Sequence, residues 1–457
     1  MTDKRAGWAS NLGFILAAAG SAIGLGNIWK FPGKVGQYGG GTFIAVYLCM
    51  VVCIGFSCML AEITLGRHTQ KNTVGAFAQI DKRWCFAGKL GILTAFIILS
   101  YYSVVGGWVL KYVFTYLCGA DFGGDTTTYF TTFISAPFEP LVWHFIFMAL
   151  TASIVCKGVS AGLEKISKLL MPILFLLLLA VTIRTLTLEG AAEGVAFLFS
   201  FDASLIDGDL IITALGQAFF SLSIGLGILI TYGSYVSPKD SLPKSVASIV
   251  CLDTFIALLA GTAIICAVFA TDKSLIGGQG GGFAFISLPN VFAQMPGGVL
   301  FGGMFFLLLF FAAFTSSMSL LEGLVAFVTE EYHLSRRTAT LALATAMYLL
   351  GCGYSLSQGA LNLTLPWFDV ANGLQLLPMA NVMELFTDNL TMPLGALAIS
   401  LFVGWVWQPS AAIAEMRREG SAKVRFAPAW AFLIRYACPV AIATILIAGF
   451  VFGKALS

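Results

Sequence analysis

Five charged residues stand inside long apolar runs: Lys30, Glu62, Asp253, Glu322 and Glu384. A charge at a bilayer's centre costs at least ~2.5 kcal/mol, so such residues either serve a function or lie near a span end and reach the interface. For Lys30 and Glu384 the two readings are equally good. Asp253 stands deeper in its run, and an isolated carboxylate there requires a cation or a proton. An alkali ion is a hard cation served by oxygen. Ala312-Ala313-Phe314-Thr315-Ser316-Ser317 offers three successive hydroxyls. Alone, that run favours back-bonding to its own helix and close packing.

Two glycine-interrupted stretches shift the balance. Ser21-Ala22-Ile23-Gly24-Leu25-Gly26-Asn27 and Ile224-Gly225-Leu226-Gly227 each fall in the middle of an apolar run. Each glycine weakens a helix by roughly 1 kcal/mol relative to alanine. Backbone that leaves helical geometry in a membrane is tolerated only where it lines a cavity or is buried in protein. Such breaks at corresponding places in two halves point to a transporter's midplane site. The implied chemistry is binding: His68, His144 and His333 lie at or near span ends and no nucleophile–base pair is evident, so the chain reads as no enzyme.

The elements that position these groups are membrane helices. Of 457 residues, 58% are hydrophobic and 11% charged, against about 25% charged in a soluble domain. The apolar runs are continuous, which excludes a β-barrel. They read as 9–36 (broken), 40–66, 89–118, 140–156, 166–186, 210–235 (broken), 245–270, 298–328, 338–354, 380–407 and 428–452. The fold class is therefore all-α integral membrane with eleven transmembrane helices in one domain, residues 1–457. With the N-terminus in the cytoplasm and the C-terminus outside, most of the 25 Lys and Arg fall on the inner side, and acidic loops fall outside. Short loops suit a bacterial inner membrane. Met1 to Arg5 is too short and polar for a cleaved signal. The cysteines lie mostly in apolar runs, with no metal-ligand spacing. Residues 271–297 read as an external loop with one or two short helices. Its glycine run at 277–282 has no lysine at Walker spacing, so it is no phosphate cradle. Residues 355–379 read as a second outer connection, and no nucleic-acid partner is indicated.

Several motifs in order resemble one family: Gly24-Leu25-Gly26-Asn27, Gly39-Gly40-Gly41, Glu62 with Gly66-Arg67, Tyr101-Tyr102, Gly216 to Ser223, Thr231 to Tyr235, and Thr315-Ser316-Ser317. The chain is similar to the neurotransmitter:sodium symporters, of the bacterial amino-acid type related to the leucine transporter. The resemblance covers nearly the whole chain and implies a 5+5 inverted repeat, with spans 1 and 6 broken at the midplane. Spans 1–5 (residues 1–186) would face spans 6–10 (208–408), and span 11 would follow (428–453). It implies two sodium ions. One would be held by the Ala22 carbonyl, Asn27, Ser221 and Asp253, the other by carbonyls of Gly20, Ile23 and Ala312 with the hydroxyls of Thr315 and Ser316. An amino acid would bind between the breaks. Its carboxylate would meet N–H groups at Leu25 and Gly26 and the Tyr102 hydroxyl, and its ammonium would face carbonyls near Phe220 and Ser223. Ile98, Phe220, Leu226, Ser316 and Leu320 would wall its side chain.

Departures from the family pattern sharpen these expectations. Gly24 replaces the aspartate of monoamine-transporting relatives, so the substrate carries its own carboxylate. Asp253, beside Tyr47, Gln217 and Ser221, would substitute for chloride, so no chloride is needed. Lys30 with Glu384 would form the outer gate. Arg5 with Glu330, flanked by Trp8 and Tyr235, would form the inner one. Leu226 replaces a larger aromatic, which favours an aromatic or large aliphatic amino acid over a small one or another carboxylated amine. An ion channel is the reading of a different class, and it would need a continuous polar lane that these separated acids do not make. The oligomeric state is left between monomer and dimer.

Overall fold

The computed structural model describes residues 7–278, 282–418 and 424–451. Two apolar helices at the start, α1 (Asn11–Ala22) and α2 (Gly26–Gln37), are bent from each other by 56°. They are followed by α3 (Gly41–Thr69), the short α4 (Thr73–Ile80) and α5 (Lys82–Leu117). Next come α6 (Thr126–Ser135) and α7 (Glu139–Val155), bent by 78°, and α8 (Val159–Leu186). The short α9 (Ala191–Phe199) leads to α10 (Gly208–Ser221) and, past a second interruption, α11 (Ile228–Gly233). The rest is α12 (Leu242–Thr271), α13 (Phe283–Ala293), α14 (Gly298–Tyr332) and α15 (Arg336–Leu356). Strands β1 (Thr364–Asp369) and β2 (Gly373–Pro378) precede α16 (Met379–Val406), α17 (Pro409–Met416) and α18 (Ala427–Gly449). Among the described residues, eight helices are individually long and apolar enough to cross a membrane, and up to ten spans result if each bent pair counts as one.

Local chemistry sets the starts. Ser10, Asn72, Asp207 and Ser335 accept backbone N–H bonds at the first turns of α1, α4, α10 and α15, satisfying donors the helix itself cannot. Packing sets α14 against α5 and α1, and α1 against α12, while α10 and α11 both lie on α3. α3 and α11 cross through small residues: a Cβ on Gly66 would strike the Ile230 carbonyl, and one on Gly233 the Ile63 carbonyl. This close approach clamps the half-helix that follows the second break.

The fold is all-helical apart from one local element among the described residues. Residues 364–378 form an antiparallel β-hairpin within the expected connection 355–379. Asp369 closes its turn by accepting from the Asn372 N–H and side chain at 2.6 and 2.9 Å. Gly373 has φ +70°, a conformation that glycine adopts without steric cost.

Candidate functional site

Both glycine-marked stretches leave helical geometry. The Ile23 N–H bonds to the Ala19 carbonyl at 2.7 Å, but Ile23 itself is extended, and helix resumes only at Gly26. The freed Gly24 N–H donates to Asn27 Oδ1 (3.2 Å), and the Leu25 N–H to the Tyr102 hydroxyl (3.4 Å). On the other side, Ser223, Gly225 and Gly227 all have positive φ. Gly225 donates to the buried Glu62 carboxylate at 2.8 Å, and the Gly227 carbonyl accepts from Thr73 at 2.6 Å. A Cβ at Gly225 would also press on Ala396 N at 2.8 Å, so this turn is held by sterics as well as bonds. Ser223 Oγ donates to the Ser21 carbonyl (3.2 Å), tying the two breaks together.

Between them lies a cavity of about 170 Å³. Ala22, Gly24, Leu25, Gly26, Tyr102, Ser223 and Ser316 line its polar part. Ile98, Phe220, Leu226 and Leu320 line the apolar part, joined by Val105, Trp108 and Met392. All the residues expected to touch a substrate therefore converge on one space.

Two oxygen-rich clusters flank it. In the first, Asn27 Nδ2 donates to Ser221 Oγ (2.9 Å) and Asp253 Oδ1 (2.8 Å), and Ser221 donates to Asp253 Oδ2 (2.7 Å). Tyr47 donates to Ser221 at 3.4 Å, and Gln217 donates to the Gly26 carbonyl at 3.4 Å. Every one of these side chains is buried. In the second, Ser316 Oγ stands 3.2 Å from the Gly20 carbonyl and 3.3 Å from that of Ile23. Thr315 bonds back to Phe311 and Ala312 within its own helix at 3.0 and 3.1 Å. A Cβ on Gly20 would sit 3.1 Å from Thr315 Cβ, so the hydroxyl pair abuts the end of α1.

One expected pair is corrected. Lys30 Nζ meets Asp388 Oδ2 at 3.7 Å and lies 4.0 Å above the Phe220 ring. Glu384 accepts instead from the Tyr354 hydroxyl at 2.5 Å. Asp388 is one helical turn beyond Glu384 on the same face of α16, and Tyr354, stacked on Tyr101, holds the glutamate aside. Tyr101 in turn stands 3.5 Å from Asp388 Oδ1. Spacing alone could have raised Asp388, since it repeats Glu384 at i+4.

Trp8, Tyr235 and Glu330, expected at the inner gate, each make contacts of their own. The Trp8 indole donates to the Tyr232 carbonyl (3.1 Å), and its ring lies 6.1 Å from that of Tyr235. Glu330 accepts from the Asn72 N–H and side chain at 2.9 and 3.0 Å. Its expected partner Arg5 lies outside the described residues. Buried Glu322 accepts from Tyr235 (3.0 Å) and pairs with Arg336.

The profile of the Sodium:neurotransmitter symporter family matches residues 5–121 and 138–454. The chain belongs to this family. It is 37% identical over 449 residues to the uncharacterized sodium-dependent transporter YhdH of Bacillus subtilis, over 96% of each chain. An uncharacterized sodium-dependent transporter of Haemophilus influenzae is 31% identical, over 97% of this chain and 98% of the relative. Among solved structures, the crystal structure of MhsT in complex with L-phenylalanine superposes with a TM-score of 0.85 at 41% identity, over 98% of this chain and 100% of that one. A sodium-dependent symporter must bind a hard cation, and both clusters supply oxygens for one. Lys30 and Asp388, in contact at 3.7 Å, both line the cavity. Asp388→Asn is expected to remove about 1 kcal/mol from the closed state, speeding substrate release roughly five-fold. Glu384→Gln should change it less. Dissociation of labelled substrate from detergent-solubilised protein measures both.

Proposed function

We propose that this symporter imports a hydrophobic amino acid, aromatic or large aliphatic, together with two sodium ions, and needs no chloride. The observation that carries this reading is the Leu25 N–H beside the Tyr102 hydroxyl, a carboxylate-sized donor pair at the polar end of an otherwise apolar cavity. The positive end of the α2 dipole favours an anion at the same point. One sodium ion would take the Ala22 carbonyl, Asn27, Ser221 and Asp253 together with the substrate carboxylate. Turning the Asn27 amide over, at constant shape, points its oxygen at that ion. The other would take the carbonyls of Gly20, Ile23 and Ala312 with Thr315 and Ser316. The fixed charge of Asp253 among Tyr47, Gln217 and Ser221 stands in for a halide. MhsT, crystallised with phenylalanine, supports the substrate size.

In this reading the chain has eleven spans, a 5+5 inverted repeat and a cytoplasmic N-terminus, in a bacterial inner membrane. Lys30 and Asp388 then face outward, with Trp8, Tyr235 and Glu330 on the inner side. The two repeats rock about the fixed site to expose it alternately. The test is uptake into proteoliposomes. Labelled phenylalanine or leucine should accumulate only under an inward sodium gradient, and replacing external chloride with gluconate should leave the rate unchanged. Equal flux without sodium would overturn the proposal.

A further inference from the structure

The hairpin between α15 and α16 exposes apolar side chains and almost no charge. Its register pairs Pro366 with Leu376 and Phe368 with Leu374, which puts these on one face. Leu374 and Leu376 are 74% and 71% exposed, and Val370 at the turn is 57% exposed. Strand edges that face water are ordinarily blunted by charge. Here the run from Ser357 to Met383 contains one charged residue, Asp369, which is buried and occupied in the turn.

The base of the hairpin is tied to the ends of two apolar helices. The Met379 N–H bonds to the Leu363 carbonyl at 2.9 Å, and the Ala380 N–H to Ser357 Oγ at 3.1 Å. Both α15 and α16 are long and apolar enough to cross a membrane. A hairpin fastened there begins at the level where hydrocarbon gives way to headgroups. A second copy of the chain is the less fitting occupant, because the face offers only a handful of side chains where a stable protein interface uses ~20–30 residues a side.

We propose that the Leu374–Leu376 face of this hairpin seats in the headgroup–acyl boundary of the bilayer, a lipid contact that anchors the start of α16, the helix bearing Glu384 and Asp388. Uncharged aliphatic side chains of this kind bind at that depth through buried apolar area. The test places the photoreactive residue p-benzoylphenylalanine at Leu374 in one protein and at Leu376 in another. Each is reconstituted into phosphatidylethanolamine–phosphatidylglycerol vesicles and irradiated. The intact mass should rise by one phospholipid, with a yield equal to that from the same label at Leu349, which is 64% exposed on α15. Adducts to a second protomer, or no lipid adduct at either position, overturn the proposal. The readout requires no transport, so a failed uptake assay and a failed cross-link remain separate results.

Discussion

Gly24→Asp is expected to abolish amino-acid uptake without lowering the amount of folded protein. A Cβ at this position would stand 3.0 Å from Ser316 Oγ and 3.1 Å from the Tyr102 hydroxyl. The added carboxylate would therefore reach the donors proposed for the substrate's own carboxylate, Tyr102 and the Leu25 N–H. It would occupy them and repel the incoming anion. Hydrogen bonds to a charged group contribute about 1.5–3 kcal/mol each, so losing the pair costs roughly 100-fold or more in affinity. Gly24 does not have positive φ, so the backbone itself accepts a side chain. Gly24→Ala separates volume from charge: the contacts are tight but neutral, and uptake should persist with a raised KM. Initial-rate uptake of labelled phenylalanine, beside a thermal melt to confirm folding, measures both. Wild-type uptake by Gly24→Asp would remove the argument that the substrate must bring its own carboxylate.

The parts of this site that could be read from the chain are those where one residue type violates its surroundings. Glycines one residue apart in an apolar run have no purpose in a continuous helix, and both stretches are unwound. A carboxylate deep in an apolar run needs company, and Asp253 has Asn27 and Ser221. What could not be read is the choice between equivalent partners. Glu384 and Asp388 occupy one face of α16, and the choice falls to Tyr354, a hydroxyl from a different helix. Glu322 was recognisable as a buried acid, but its partners come from elsewhere in the chain, Tyr235 from the turn after α11 and Arg336 from the start of α15. The hairpin escaped for another reason. Its strands are short, and their alternation is blurred by leucines on both faces, so the period-2 signal that marks a half-buried strand is weak there.

Asp253→Asn is expected to make transport respond to chloride, which the proposed function holds the wild type does not need. Asp253 is buried, and its two oxygens accept from Asn27 and Ser221 at 2.8 and 2.7 Å. Asparagine keeps the shape but removes the negative charge, and its amide nitrogen would oppose one of those donors. A sodium ion beside Asn27 and Ser221 would then be neutralised only by the substrate carboxylate. The lost charge-assisted contact, about 1.5–3 kcal/mol, lowers sodium affinity by roughly 10–100-fold in chloride-free buffer. Chloride in the space near Tyr47 and Gln217 would restore part of that loss, since a mobile anion there supplies the charge the side chain no longer carries. The measurement is the sodium concentration for half-maximal uptake, taken in chloride and in gluconate for both proteins. Two coincident curves are expected for the wild type and two separated curves for the variant. If the variant's curves coincide with each other and with the wild type's, Asp253 takes no part in the ion site. A uniform loss in both buffers would place Asp253 at the sodium ion but deny it the role of a fixed anion.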